Sequence, residues 1–124
     1  MPATIRLGSV SLDCPDPGAL AAFYSALLDS PVAFASEAFA AIKLANGMWL
    51  STQKVDDYRA PRWPDADAPQ QVHLDFAVSD LDAAQEAAVA LGATLAEMQP
   101  RPEGWRVMLD PAGHPFCLTT LIPE

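Results

Sequence analysis

Positive charge is scarce in this chain: 7 lysines and arginines stand against 16 aspartates and glutamates, a net charge of -9 at pH 7. That balance repels phosphate backbones, so nucleic acid is not an expected partner. No basic amphipathic segment is available to hold an anionic membrane. Cysteine is equally sparse. Cys14 and Cys117 are the two present, and they form neither a zinc-type spacing nor a disulfide framework, so reduced, partly buried thiols are expected. No apolar run approaches the roughly 20 residues needed to span a bilayer. The start, Met1-Pro2-Ala3-Thr4-Ile5-Arg6, lacks the basic and apolar pattern of a secretion signal, and a soluble cytoplasmic protein is expected. Hydrophobic residues make up 51% of the 124 positions and charged ones 19%, which is globular rather than disordered and fits one domain.

What the chain does contain is a weak internal repeat. Ser9-Val10-Ser11-Leu12, then Asp16 and a helical run, matches His73-Leu74-Asp75-Phe76, then Asp80 and a helical run, at an offset of 64 positions. In the first copy a strand is expected over 5–13. Asp16 then supplies an N-cap and Pro17 the first helical position. Leu20, Phe23, Tyr24, Leu27 and Leu28 recur at i, i+3, i+4, i+7 and i+8, one face of an amphipathic helix. Asp29-Ser30-Pro31 stops it. Strands are expected near 31–36, 38–44 and 48–55, the last two joined by an Asn46-Gly47 hairpin in which both residues tolerate positive φ. From 56 to 70 the pattern dissolves into prolines and aspartates, the mark of a linker.

The second copy begins at Val72, where apolar and polar residues alternate with a period of two. Asp80 caps a helix whose expected buried face is Leu81, Ala84, Ala88 and Leu91, ended by Gly92 as a left-handed cap. Strands near 94–98, 104–110 and 115–121 complete the copy, with Asp110-Pro111-Ala112-Gly113 as a tight turn. One helix against one face of each sheet leaves the other face uncovered. That face carries Ser9, Ser11 and Asp13 in the first copy and His73, Asp75 and Ala77 in the second, polar residues that await solvent, each other or a ligand.

With Asp16, Ala22-Phe23-Tyr24, Leu27-Leu28, Val72-His73-Leu74-Asp75, Asp80-Leu81-Asp82-Ala83-Ala84, Leu91-Gly92-Ala93 and Asp110-Pro111-Ala112-Gly113-His114-Pro115-Phe116 in this order, the chain resembles the vicinal oxygen chelate superfamily, in particular its glyoxalase-like and bleomycin-resistance-like members. The resemblance covers nearly the whole chain. It implies an α+β fold of two βαβββ modules, 1–55 and 71–124 around a linker at 56–70, whose mixed sheets curl into a shared cup. It also implies a homodimer. In metal-using members, side chains from the first and last strands of each module bind one divalent ion (Zn, Ni, Mn or Fe) and leave positions open for vicinal oxygens of a substrate, which the ion polarises. Carried onto this chain, those positions fall on Ser9, Gln53, His73 and Cys117. His73 and Gln53 are donors of the usual kind; a serine and a cysteine replace the others.

The candidate ligand-binding residues are therefore Ser9, Ser11, Trp49, Gln53, His73, Asp75, Trp105 and Cys117, with His73 and Gln53 as the metal candidates. Asp75 lies two residues from His73 on the same strand face and is placed to orient its imidazole. Trp49, Trp63 and Trp105 are suited to stack on a planar ligand, though Trp49 and Trp105 also suit a core and Trp63 a surface anchor. Phe39 and Phe116 are expected in the core, His114 in its turn, and Arg101 and Arg106 at the solvated surface. Two functions compete. In the first, the cup binds a small aromatic or amphipathic molecule without the full metal site. In the second, the chain is a metal-dependent lyase, isomerase or dioxygenase-type enzyme using His73 and Gln53 as partial ligands.

Overall fold

A computed structural model describes residues 4–64 and 69–123; positions 65–68 of the expected linker lie outside the described residues. The chain forms two compact units, Met1–Tyr58 and Arg59–Glu124. The first contains β1 (Ser9–Cys14), α1 (Pro17–Leu28), β2 (Val32–Ala35), β3 (Phe39–Lys43) and β4 (Trp49–Lys54). The second contains β5 (Leu74–Ala77), α2 (Leu81–Ala90), β6 (Thr94–Leu95), β7 (Trp105–Leu109) and β8 (Pro115–Thr119). Each unit is thus a βαβββ module of the α+β class. Each holds one open, mixed, four-stranded sheet, ordered β1-β4-β3-β2 and β5-β8-β7-β6. The first and last strands of each module pair in parallel and the others antiparallel.

Both helices begin as their sequences predict. Asp16 accepts from the Ala19 N–H at 3.2 Å, and Asp80 from the Ala83 N–H at 3.0 Å. Each side chain satisfies one donor that the first helical turn leaves open. In α1 the apolar stripe buries Leu20, Phe23 and Tyr24 on the face that meets β3 and β4. Thr52, fully buried in β4, donates its hydroxyl to the Pro17 carbonyl at 2.8 Å and ties the sheet to the start of the helix. In α2 only Ala88 is fully buried. Leu91, expected on the same face, is 41% exposed, because it is the C-cap residue, where the chain leaves the helix through Gly92 at φ +117°.

The two hairpins at Leu44–Gly47 and Asp110–Gly113 have the same construction. In each, the glycine N–H donates to the carbonyl three residues back, at 3.1 and 2.8 Å, and the first residue's N–H donates to the carbonyl just beyond the glycine, at 2.9 Å in both. Gly47 and Gly113 take φ of +87° and +89°. Asn46 does not adopt positive φ, contrary to the two-residue hairpin expected there. It instead accepts from the Met48 N–H at 3.0 Å through its side chain, so the loop is the longer type with one left-handed residue.

The alternation along the strands comes out as expected. Leu12 and Cys14 are buried while Ser9, Ser11 and Asp13 are exposed. Phe116 is fully buried and meets Phe76 edge-on, with ring centroids 5.7 Å apart. Phe39 departs from its expected core position: it is 41% exposed and stacks on Phe34 of the edge strand β2. β6 is shorter than the expected 94–98 because a side chain replaces its backbone ladder. Gln99 donates to the carbonyls of Ala96 and Val107 at 2.9 and 2.8 Å and accepts from the Val107 N–H at 2.9 Å. Among the described residues no helix is long and apolar enough to cross a membrane.

Candidate functional site

The parallel pairing of β5 with β8 sets Asp75 opposite Cys117, and the antiparallel pairing of β8 with β7 sets Cys117 opposite Val107 and Thr119 opposite Trp105. Side chains alternate along each strand, so these residues share the sheet face that carries no helix. His73, two residues before Asp75, lies on the same face. Its Nε2 is 3.3 Å from Asp75 Oδ1. The donor atoms of His73, Asp75 and Cys117 all lie within 4.8 Å of one another. A nitrogen, an oxygen and a sulfur donor therefore meet at one point.

Cys117 is a poor nucleophile in this setting. Its thiol is pushed up to about 11, first by burial, then by the Asp75 charge and by its hydrogen bond to that carboxylate. All three favour the neutral thiol over the thiolate, which is the reactive form.

The cluster forms one wall of a cavity of about 410 Å³ within the second unit, whose other walls include Trp63, Trp105 and Gln70. Trp63 and Trp105 pack against the buried cluster of Ala96, Val107 and Cys117. Gln70 contributes a buried side-chain carbonyl, Oε1, with no hydrogen-bond partner among the described residues. Of the candidates read from the sequence, His73, Asp75, Trp105 and Cys117 are brought together here. Trp63 joins them from the stretch read as linker. Gln70 was not anticipated: it stands where the hydrophobic pattern has dissolved, and no local signal marks it. His114 stays in its turn, its backbone N–H donating to Asp110 Oδ1 at 3.0 Å.

The corresponding face of the first unit carries Ser9, Ser11, Trp49 and Gln53. Here β1 and β4 pair with Ser11 opposite Ser51 and Asp13 opposite Gln53. The residue equivalent to Cys117 is therefore Ser51, where the repeat in sequence suggested Gln53. Asp16 and Asp80 are 64 positions apart, but Ser51 and Cys117 are 66 apart. The second unit has two more residues between its helix cap, Asp80, and its last hairpin than the first has after Asp16, and these shift the equivalence by one step of the alternation. Ser9 and Ser51 share a hydrogen bond between hydroxyls at 3.3 Å. Where the second unit presents His73, Asp75 and Cys117, the first presents three serines. Gln53 is exposed near the end of β4 and Trp49 is half-buried at its start.

The family model described as the glyoxalase-like domain matches residues 9–119. The chain belongs to this family. Its fold is that of the glyoxalase/bleomycin resistance/dioxygenase group. This glyoxalase-like domain is similar to the fosfomycin resistance protein FosX from Mesorhizobium loti, at 17% identity and a TM-score of 0.72, over 97% of this chain and 94% of that one. It is also similar to a glyoxalase/bleomycin resistance protein/dioxygenase family enzyme from Burkholderia phytofirmans PsJN, at 18% identity and a TM-score of 0.71, over 95% and 100% of the two chains. A third similar structure is a variant FosX from Listeria monocytogenes complexed with Mn(II) and 1S,2S-dihydroxypropylphosphonic acid, at 17% identity and a TM-score of 0.68, over 95% and 90%. No curated protein matches the sequence.

Proposed function

We propose that this glyoxalase-like domain binds a small, planar organic molecule in the cavity of its second unit. The observation that carries the reading is the composition of that cavity. Two indoles and two prolines, Trp63, Trp105, Pro100 and Pro115, surround the polar group formed by His73, Asp75 and Cys117. Apolar walls with a few convergent polar groups are the usual form of a small-molecule site, and indole faces favour flat ligands. Ser9, Ser11, Trp49 and Gln53 of the first unit form a separate polar face, a candidate ligand surface by itself. Titration with a panel of aromatic compounds, followed by tryptophan fluorescence and by chemical shifts of the Trp105 indole, tests the cavity reading. Saturable binding weakened by Trp105→Ala is the expected result. Shifts confined to the first unit, or binding indifferent to Trp105→Ala, would sink it.

A second reading has its own observation. His73, Asp75 and Cys117 offer three donors close enough to hold one divalent ion, zinc best suiting a mixed N, O and S set and Ni, Mn or Fe being the alternatives. When bound, such an ion polarises substrate oxygens. Gln53 belongs to the other unit. Cys117 must lose its proton to ligate, and a bound ion itself favours that loss. Metal analysis of the purified protein decides between the two. Stoichiometric metal that disappears in His73→Ala would replace the metal-free reading. A homodimer in the cytoplasm completes the proposal, and light scattering of the purified protein tests the dimer.

A further inference from the structure

The charges around the cavity are distributed one-sidedly. Asp75 supplies a carboxylate, and no lysine or arginine is among the lining residues. Arg62, beside Trp63 in the chain, lines a different cavity, and Arg106 and Arg101 have acidic partners outside the lining. Arg106 pairs with Asp82 at 3.0 Å and donates to Gln85 at 2.7 Å and to the Pro102 carbonyl at 2.6 Å. Arg101 lies beside Glu103 at 3.5 Å. Gln70 also lines the cavity, but its Oε1 is sealed from solvent and has no hydrogen-bond partner among the described residues. The Cys117 thiol donates its hydrogen bond to Asp75. Trp63 and Trp105 line the same cavity, and indole faces attract cations.

We infer that the cavity selects planar cations that donate hydrogen bonds, of the amidinium or protonated heteroaromatic amine class, over neutral and anionic molecules of the same shape. The inference rests on the small-molecule reading above and narrows it. A carboxylate or phosphonate entering the cavity meets the Asp75 carboxylate and, among the described lining residues, no lysine or arginine. An aryl amidinium presents several N–H donors in a plane, enough to bond Asp75 while its ring contacts the indoles. Histidine 73 sets the competing effect: its imidazole already faces Asp75 at 3.3 Å, so a ligand cation must compete with it for the carboxylate. Because about 47% of the Asp75 side chain and 41% of the His73 side chain remain exposed, the carboxylate keeps lone pairs open to a second donor.

The test uses three molecules of nearly one shape: benzamidine, benzamide and benzoate. Affinities for the full chain are measured at pH 8 by calorimetry and by chemical-shift titration. Benzamidine should bind roughly tenfold more tightly than benzamide, with benzoate weakest. In Asp75→Asn, the benzamidine preference should fall to about parity while benzamide binding persists. Benzoate binding as tightly as benzamidine overturns the charge selectivity and leaves the small-molecule site standing. A preference that survives Asp75→Asn also overturns it. Failure of all three to shift second-unit resonances removes the underlying site as well. The wild-type order of the three ligands decides the question even if the variant does not fold.

Discussion

Asp75 and Cys117 stand directly opposite one another across the parallel pair of β5 and β8, and the thiol donates to the carboxylate. The two are 42 positions apart in sequence. Their pairing makes a buried thiol that resists ionisation and a carboxylate that is already half-engaged.

This relationship predicts the reactivity of Cys117. A rise from 9.0 to about 11 lowers the thiolate fraction near pH 8 by about 100-fold, so alkylation by iodoacetamide at Cys117, followed by peptide mass spectrometry, should be slower than for a model thiol by at least that factor. Asp75→Asn removes the second cause, the carboxylate charge, and should accelerate labelling at fixed pH. It should not restore the model rate, because burial, the largest cause, remains. Unchanged labelling in Asp75→Asn would show that the carboxylate does not govern the thiol.

The same shift has a consequence for stability with a definite sign. The folded state holds the Cys117 proton more tightly than the unfolded chain does. The stabilisation is therefore complete below about pH 9 and is lost as pH rises toward 11. Two units correspond to about 2–3 kcal/mol at most. Denaturation of Cys117→Ser against wild type should show the wild-type advantage shrinking between pH 9 and pH 11, and a constant difference would count against it.

The matched hairpins separate two costs of replacing glycine. Gly47 and Gly113 have nearly equal positive φ, but an added Cβ at Gly47 meets nothing within 4 Å, whereas at Gly113 it comes within 2.7 Å of the Ala60 Cβ. Gly47→Ala should cost about 1–2 kcal/mol from backbone conformation alone. Gly113→Ala should cost more, because Ala60 or the turn must also move. Equal losses in urea denaturation would refute the role given to Ala60.

Gln99 and Thr52 each tie two elements together through a side chain. Removing three hydrogen bonds by Gln99→Ala should destabilise the second unit by about 2–3 kcal/mol and speed hydrogen exchange at the Val107 N–H. Thr52→Val keeps the shape but removes the buried bond from the hydroxyl to the Pro17 carbonyl, at about 0.5–1.5 kcal/mol. Thr52→Ser should recover most of that loss. A neutral Thr52→Val would mean that this bond adds no net stability.

Much of this molecule was legible in its sequence because the signals are local. Asp16 and Asp80 each lie within three residues of the N–H they cap. Gly47, Gly92 and Gly113 stand where the chain requires positive φ. Alternation over four residues placed His73 and Asp75 on one uncovered face. The register that selected Ser51 over Gln53 was not legible. It depends on the number of residues between strands that pair across forty positions, and two additional residues moved it by one full alternation. Gln70 was hidden for a related reason: it lies in no periodic segment, and neither does Trp63, whose place as a ligand stacker rather than a surface anchor rests on packing against Ala96, Val107 and Cys117.

The sequence by itself therefore determined two βαβββ modules, their caps, their turns and the polar character of one face of each sheet, since each follows from contacts between near neighbours in the chain. Only the tertiary structure decided that Asp75 meets Cys117, that three serines stand in the equivalent place of the first unit, and that Gln70 joins the lining of the same cavity as Trp63 and Trp105. Those outcomes depend on long-range strand register and close packing, which no short stretch of sequence specifies.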